Sequence, residues 1–132
     1  MSHSILQPEG WARPRGYANG VSARGRMIFL AGQIGWDAQQ RFVGADLVTQ
    51  AKQALQNIVA ILAEDGARPE HIVRLTWYVT DRAAYLAAGA ALGAAYRDVM
   101  GRHFPAMTAV EVSSLMEADA VVEIEATAIV PE

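Results

Sequence analysis

The amino-acid sequence predicts an α+β fold in which two helices cover one face of a mixed sheet. Three observations predict it. Residues 46–65 place apolar side chains at three- and four-residue steps, whereas residues 72–80 and 120–130 alternate apolar and polar. The segments then fall in the order strand, strand, helix, strand, helix, strand, strand.

Residues 1–15, with Pro8, Gly10 and Pro14, are expected to form an irregular arm, and residues 17–22 a short strand. Residues 26–34 form a stronger one. Met27, Ile28, Phe29 and Leu30 follow one another there, and the segment ends in Gly32-Gln33, where the backbone can approach a neighbour closely. In residues 46–65 the periodic set is Leu47, Val48, Ala51, Leu55, Ile58, Val59 and Leu62. Asp46 can cap the first turn, and Gly66 can take the left-handed conformation that ends the helix. Residues 72–80 are rich in β-branched and aromatic types and predict a half-buried strand.

The alanine-rich residues 82–100 predict one second helix, in which Gly89 and Gly93 each cost about 1 kcal/mol relative to alanine. Strands over residues 106–115 and 120–130 complete the pattern. On the last strand Val122, Ile124, Ala126, Ala128 and Val130 belong against the helices. The opposite sheet face, expected to include Met107, Ala109, Glu123 and Ile129, is too apolar to leave wholly in water, and self-association would cover it.

At 132 residues, 52% hydrophobic and 19% charged, the whole chain, residues 1–132, is expected to form one globular domain. A net charge of −3 offers no field to attract phosphate backbones or anionic lipid, so neither nucleic acid nor membrane is expected as a partner. The sequence has no cysteine, which excludes disulfides, thiolate chemistry and cysteine-bearing zinc sites. The first ten residues lack the pattern of a secretory signal, and the alanine- and glycine-rich residues 83–96 are too short and weakly hydrophobic to span a bilayer. A cytoplasmic location is the resulting expectation.

Six segments in order resemble one family: residues 15–21 (RGYANGV), 30–34 (LAGQI), 53–62 (QALQNIVAIL), 79–81 (VTD), 104–112 (FPAMTAVEV) and 122–126 (VEIEA). Together they resemble the Rid/YjgF, or L-PSP endoribonuclease, family from about Gly16 to the C-terminus. The resemblance implies a chorismate-mutase-like fold, a homotrimer with pockets at the subunit interfaces, no cofactor, and hydrolysis of reactive imines or enamines to carbonyl products and ammonia. It carries to Glu123 the role of holding the attacking water. To Tyr17, Ala31, Gly32, Gln33 and Met107 it carries places around the substrate.

Three of the corresponding positions depart from the family pattern. Met107 stands where the resemblance implies a carboxylate-clamping arginine, Ala31 where it implies serine, and Gly89 where it implies asparagine. A bidentate clamp contains two charged hydrogen bonds of roughly 1.5 to 3 kcal/mol each, so its loss should weaken carboxylate binding by about a hundredfold or more. Methionine instead supplies a flexible apolar wall. The expected substrate is therefore a small imine, enamine or related reactive metabolite other than the usual amino-acid-derived carboxylates. The alternative is a non-catalytic ligand-binding or interaction module on the same trimeric scaffold. Arg97 or Arg102 could substitute for the missing guanidinium.

From spacing alone Glu123 reads as a solvent or intersubunit carboxylate on an alternating strand, Tyr17 as a packed aromatic, Gln33 as a sheet-edge hydrogen bonder and Met107 as core filling. His3, His71 and His103 lie in separate segments without metal-ligand spacing, so no metal site is expected. Arg13, Arg15, Arg24 and Arg26, interleaved with Trp11 and Tyr17, faintly resemble a single-strand binding surface but read better as a solvated or intersubunit face. Trp36 and Trp77 could line a pocket. Ser113-Ser114 lacks the turn that activates a serine nucleophile.

Overall fold

A computed structural model describes residues 3–132. Its strands are β1 (His3–Leu6), β2 (Gly20–Ala23), β3 (Arg26–Ile34), β4 (Ile72–Val79), β5 (Ala106–Glu111) and β6 (Val122–Val130), and its helices α1 (Leu47–Ala63), α2 (Arg82–Ala87) and α3 (Gly89–Met100). Four strands form one mixed sheet in the order β3-β6-β4-β5. Only the β4–β5 pair is parallel. The α+β expectation holds, with three helices rather than two.

Helix α1 forms where the apolar period places it, because its buried stripe of Ala51, Ala54, Leu55, Ile58 and Leu62 packs against β3, β6 and α3. The Asp46 carboxylate accepts from the Thr49 backbone N–H at 3.0 Å, and that bond holds its pKa below the ordinary value. Gly66, at φ 69°, takes the left-handed turn that lets Ala67 N–H return to the Leu62 carbonyl at 2.9 Å. The core is completed by Ile72, Leu75, Val122 and Ile124, all fully buried under the helices.

Five details depart from expectation. Met1 and Ser2 lie outside the described residues, but His3–Leu6 of the supposed irregular arm is a strand paired antiparallel with β2. Its partner starts at Gly20 instead of residue 17, because Ala18 is held against the next sheet instead, its N–H donating to the Pro105 carbonyl at 3.0 Å. The second helix breaks at Ala88, whose ψ of 10° departs from helical geometry just before Gly89, the residue least able to hold the helix straight. Strand β5 stops at Glu111 instead of residue 115, because its partner β4 runs out opposite it at Val79; Val112 N–H still reaches the Val79 carbonyl at 2.8 Å. Likewise, the segment before Val122 turns, with Ala120 N–H bonded to the Glu117 carbonyl at 3.0 Å.

The expected composition of the open sheet face needs a larger correction. Met107 and Ala109 pair with Leu75 and Trp77, whose side chains lie in the core, so both face the helices. Glu123 and Ile129 do lie on the open face, alternating with the buried residues of β6. Met27 and Phe29 join them there, 57% and 70% exposed.

A single-turn helix at Pro69–His71 leads into β4, and the Arg68 N–H donates to His71 Nδ1 at 2.9 Å. That bond requires an unprotonated Nδ1. The His71 pKa is lowered, chiefly by burial, so the unfolded chain binds this proton more readily than the folded one. Stability should therefore fall as pH drops below about 6.5, the unfolded histidine value. Urea titrations from neutral to mildly acidic pH should show that loss, and His71→Gln should flatten this contribution.

Candidate functional site

A cleft of about 330 Å³ opens on the helix side of the sheet, between α2, α3 and the start of β5. Its deeper wall holds Trp77, Tyr96, Phe104 and Met107, and Tyr85 closes it from α2. Trp77 meets Tyr85 edge-on at 6.1 Å between ring centroids, while Tyr96 stacks on Phe104 at 5.6 Å. The rings are held in place by the fold. The Tyr96 hydroxyl donates to the His103 carbonyl, and burial pushes its pKa up. Tyr85 is shifted upward by burial as well. Both phenols therefore remain neutral donors.

Arg15 and Arg97 are exposed members of the same cleft, and no acidic side chain lines it among the described residues. The Arg97 side chain folds back one turn along α3. Its Nη1 lies 3.2 Å from where a Cβ on Gly93 would stand, so the absent side chain at Gly93 makes its room. Gly89 also borders the cleft, with open space above it. Buried in the wall, the Trp77 indole N–H has no acceptor among the described residues.

The second constellation lies on the other face of the sheet. Between Leu30 and Gln33 the pairing of β3 with β6 shifts register, leaving Ala31 and Gly32 in an irregular stretch. Gln33 spans it, its Nε2 donating to the Ala31 carbonyl at 3.1 Å. The Glu123 side chain lies directly over Gly32: a methyl group there would overlap the carboxylate, with Cγ and Cδ each 2.8 Å away. Only glycine leaves Glu123 in this position. Next to it on β4, the Tyr78 hydroxyl donates to Glu125 at 2.6 Å. That hydrogen bond, followed by burial and the charges of Glu125 and Glu123, raises the Tyr78 pKa and keeps the hydroxyl protonated.

Tyr17 belongs to neither group. It lines a separate depression of about 390 Å³ with Gln7, Arg13, Arg102 and His103, sharing only Phe104 with the first cleft. Arg102 thus lines the neighbouring depression, whereas Arg97 shares the cleft of Met107. Among the described residues, no group of three or more His, Asp or Glu side chains could hold a metal ion. No described helix is long and apolar enough to cross a membrane.

The family model described as Endoribonuclease L-PSP matches residues 11–130. The chain belongs to this family, also called Rid/YjgF. It is 35% identical over 132 residues to the 2-iminobutanoate/2-iminopropanoate deaminase of Escherichia coli K12, covering 98% of each chain. A RutC family protein of Pyrococcus abyssi is 34% identical over 129 residues, covering 97% of this chain and 98% of the relative. Among solved structures, the Rid-family protein YyfB of Yersinia pestis superposes with a TM-score of 0.86 at 32% identity, covering 98% of this chain and all of that one.

In this Rid/YjgF chain the six expected site residues do not converge. Glu123 and Gly32 are in contact, with Ala31 and Gln33 in the same bulged stretch. Met107 lies across the sheet and Tyr17 in the neighbouring depression. Of the three departures noted in the sequence, Met107 and Gly89 share the cleft and Ala31 does not. Trp77 does line it, whereas Trp36 packs against Phe42 at 5.7 Å. A stripe running from α2 into α3 was legible in the sequence: Tyr85 on α2 and Gly89, Gly93 and Arg97 on α3 recur every fourth residue, and all four line the cleft.

Proposed function

We propose that this chain is a Rid-type imine deaminase whose working site forms between copies, with Glu123 of one facing the Met107 cleft of the next. The observation that carries the reading is the Glu123 carboxylate seated over Gly32 on a sheet face that also exposes Met27 and Phe29. A carboxylate on a sheet face that also exposes large apolar side chains suits a face covered by another subunit, and a homotrimer in the cytoplasm is the assembly we assign. Met107 and Glu123 lie on opposite faces of one sheet, so two copies are required to bring them to one substrate.

In that site Glu123 accepts a hydrogen bond from water and draws off a proton as the oxygen attacks the imine carbon. The proton passes to nitrogen, the C–N bond of the resulting carbinolamine breaks, and the products are a carbonyl compound and ammonia. An enamine enters the same course after tautomerising to its imine. Ala31, Gly32 and Gln33 shape the Glu123 side, while Tyr17 and Met107 shape the facing side. Met107 supplies no charge at its own position, which makes short imino acids that place their carboxylate there poor fits.

Ammonia release from imines generated in situ, with and without a carboxylate, tests the proposal. The purified protein should accelerate release over a protein-free control, and dilution below the assembly range should lower the activity per chain. No acceleration across the panel, despite ligand binding, would instead establish the non-catalytic module.

A further inference from the structure

We infer that the Met107 cleft binds an organic anion through Arg97 and Arg15, so that the substrate is a carboxylate carrying a bulky aromatic or branched apolar body. The inference rests on the deaminase reading only for the word substrate; the binding site stands on the cleft itself. Two guanidiniums border this cleft, and among the described residues neither has a carboxylate within ion-pairing distance. Among the described residues of one chain no acidic side chain lines the cleft, and the Glu123 proposed to face it from the next copy sets one carboxylate against two guanidiniums. Arg97 is directed by the chain, because the missing side chain at Gly93 leaves the space over which it folds. Guanidinium groups in such a setting select carboxylate or phosphate oxygens by paired hydrogen bonds.

The rest of the wall sets the body of the ligand. Trp77, Tyr85, Tyr96, Phe104 and Met107 present rings and a thioether, surfaces that recover free energy by covering hydrocarbon. A two- or three-carbon acid would leave most of this surface wet. An arylalkyl or branched-chain acid covers it while its carboxylate stays at the exposed arginines. The anion is then held from α3 and the segment before β2, while the position of Met107 on β5 serves the hydrocarbon.

The test is calorimetric binding of 3-phenylpropanoate and of its uncharged counterpart 3-phenylpropanamide to the assembled, full-length protein. The acid should bind about tenfold more tightly than the amide, and the difference should shrink between about 50 mM and about 500 mM salt. Arg97→Gln should remove most of the preference while leaving amide affinity within about twofold, and Arg97→Lys should restore part of it. Because Arg97 is exposed and makes no ion pair among the described residues, the substitution spares the fold. Equal binding of acid and amide, no binding of either, or an Arg97→Gln variant that keeps the preference would each overturn the inference. Turnover separates it from the deaminase reading. A preference for the acid without ammonia release from the imine of phenylalanine leaves the anion site standing and removes the chemistry; release with no preference for the carboxylate does the reverse.

Discussion

Gly32→Ala should lower imine hydrolysis by about a hundredfold or more, close to the loss expected for Glu123→Gln, although residue 32 offers no reactive group. The added methyl would occupy the space of the Glu123 carboxylate, with the Cγ and Cδ atoms 2.8 Å away and no flexible partner to yield but Glu123 itself. The carboxylate must then swing off the position from which it orients water. Displacement of a catalytic group by about 1 Å is enough for a loss of this order. Glu123→Gln keeps the shape and removes the charge, so the pair separates position from basicity. Ammonia release read beside thermal unfolding checks both: a folded Gly32→Ala protein with full activity would remove Glu123 from the chemistry.

Gln50→Leu should have the largest effect on stability, a loss of about 3–5 kcal/mol, a sizeable share of the 5–15 kcal/mol typical of a domain. Gln50 is the one buried polar side chain among the described residues, only 1% exposed, on the inner face of α1. Its amide is fully engaged. Nε2 donates to the Gly44 carbonyl at 3.0 Å and to that of Asp119 at 2.9 Å, while Oε1 accepts from the Val121 N–H at 2.9 Å. Leucine fills similar volume but leaves two carbonyls and an N–H without partners in a dry place. Gly35 approaches so closely that a methyl group there would lie 2.5 Å from Gln50 Cβ, so the site cannot relax by admitting water without moving that strand end. Urea denaturation should show the midpoint falling at nearly constant slope.

Elements whose cause is local were legible in the sequence. Helix α1 was fixed by its apolar period, its Asp46 cap and Gly66, and β4 by alternation between buried Leu75 and Trp77 and the partly exposed residues between them. What escaped depends on pairing across long stretches of chain. β1 is a strand only because β2, some seventeen residues on, lies beside it. The side to which Met107 points is decided by its register against Leu75, and residues 106–111, with alanine, threonine and valine spread over both faces, carry too weak an alternation to reveal it. Gln50 gave no sign of its role, since an interior glutamine and a solvated one look alike until the loops it binds are placed. The contact of Glu123 with Gly32 required knowing how β3 bulges against β6.

The four-stranded sheet also works as a partition. Met107 and the arginine-bearing cleft lie on one side of it, Glu123 and its glycine seat on the other, with a layer of close-packed backbone between them. With the roles proposed for the two sides, side chains that select the molecule admitted can be exchanged on the first without disturbing the packing around the carboxylate on the second. A scaffold divided in this way lets selectivity drift, or be redesigned, one wall at a time while the reactive group stays where it was.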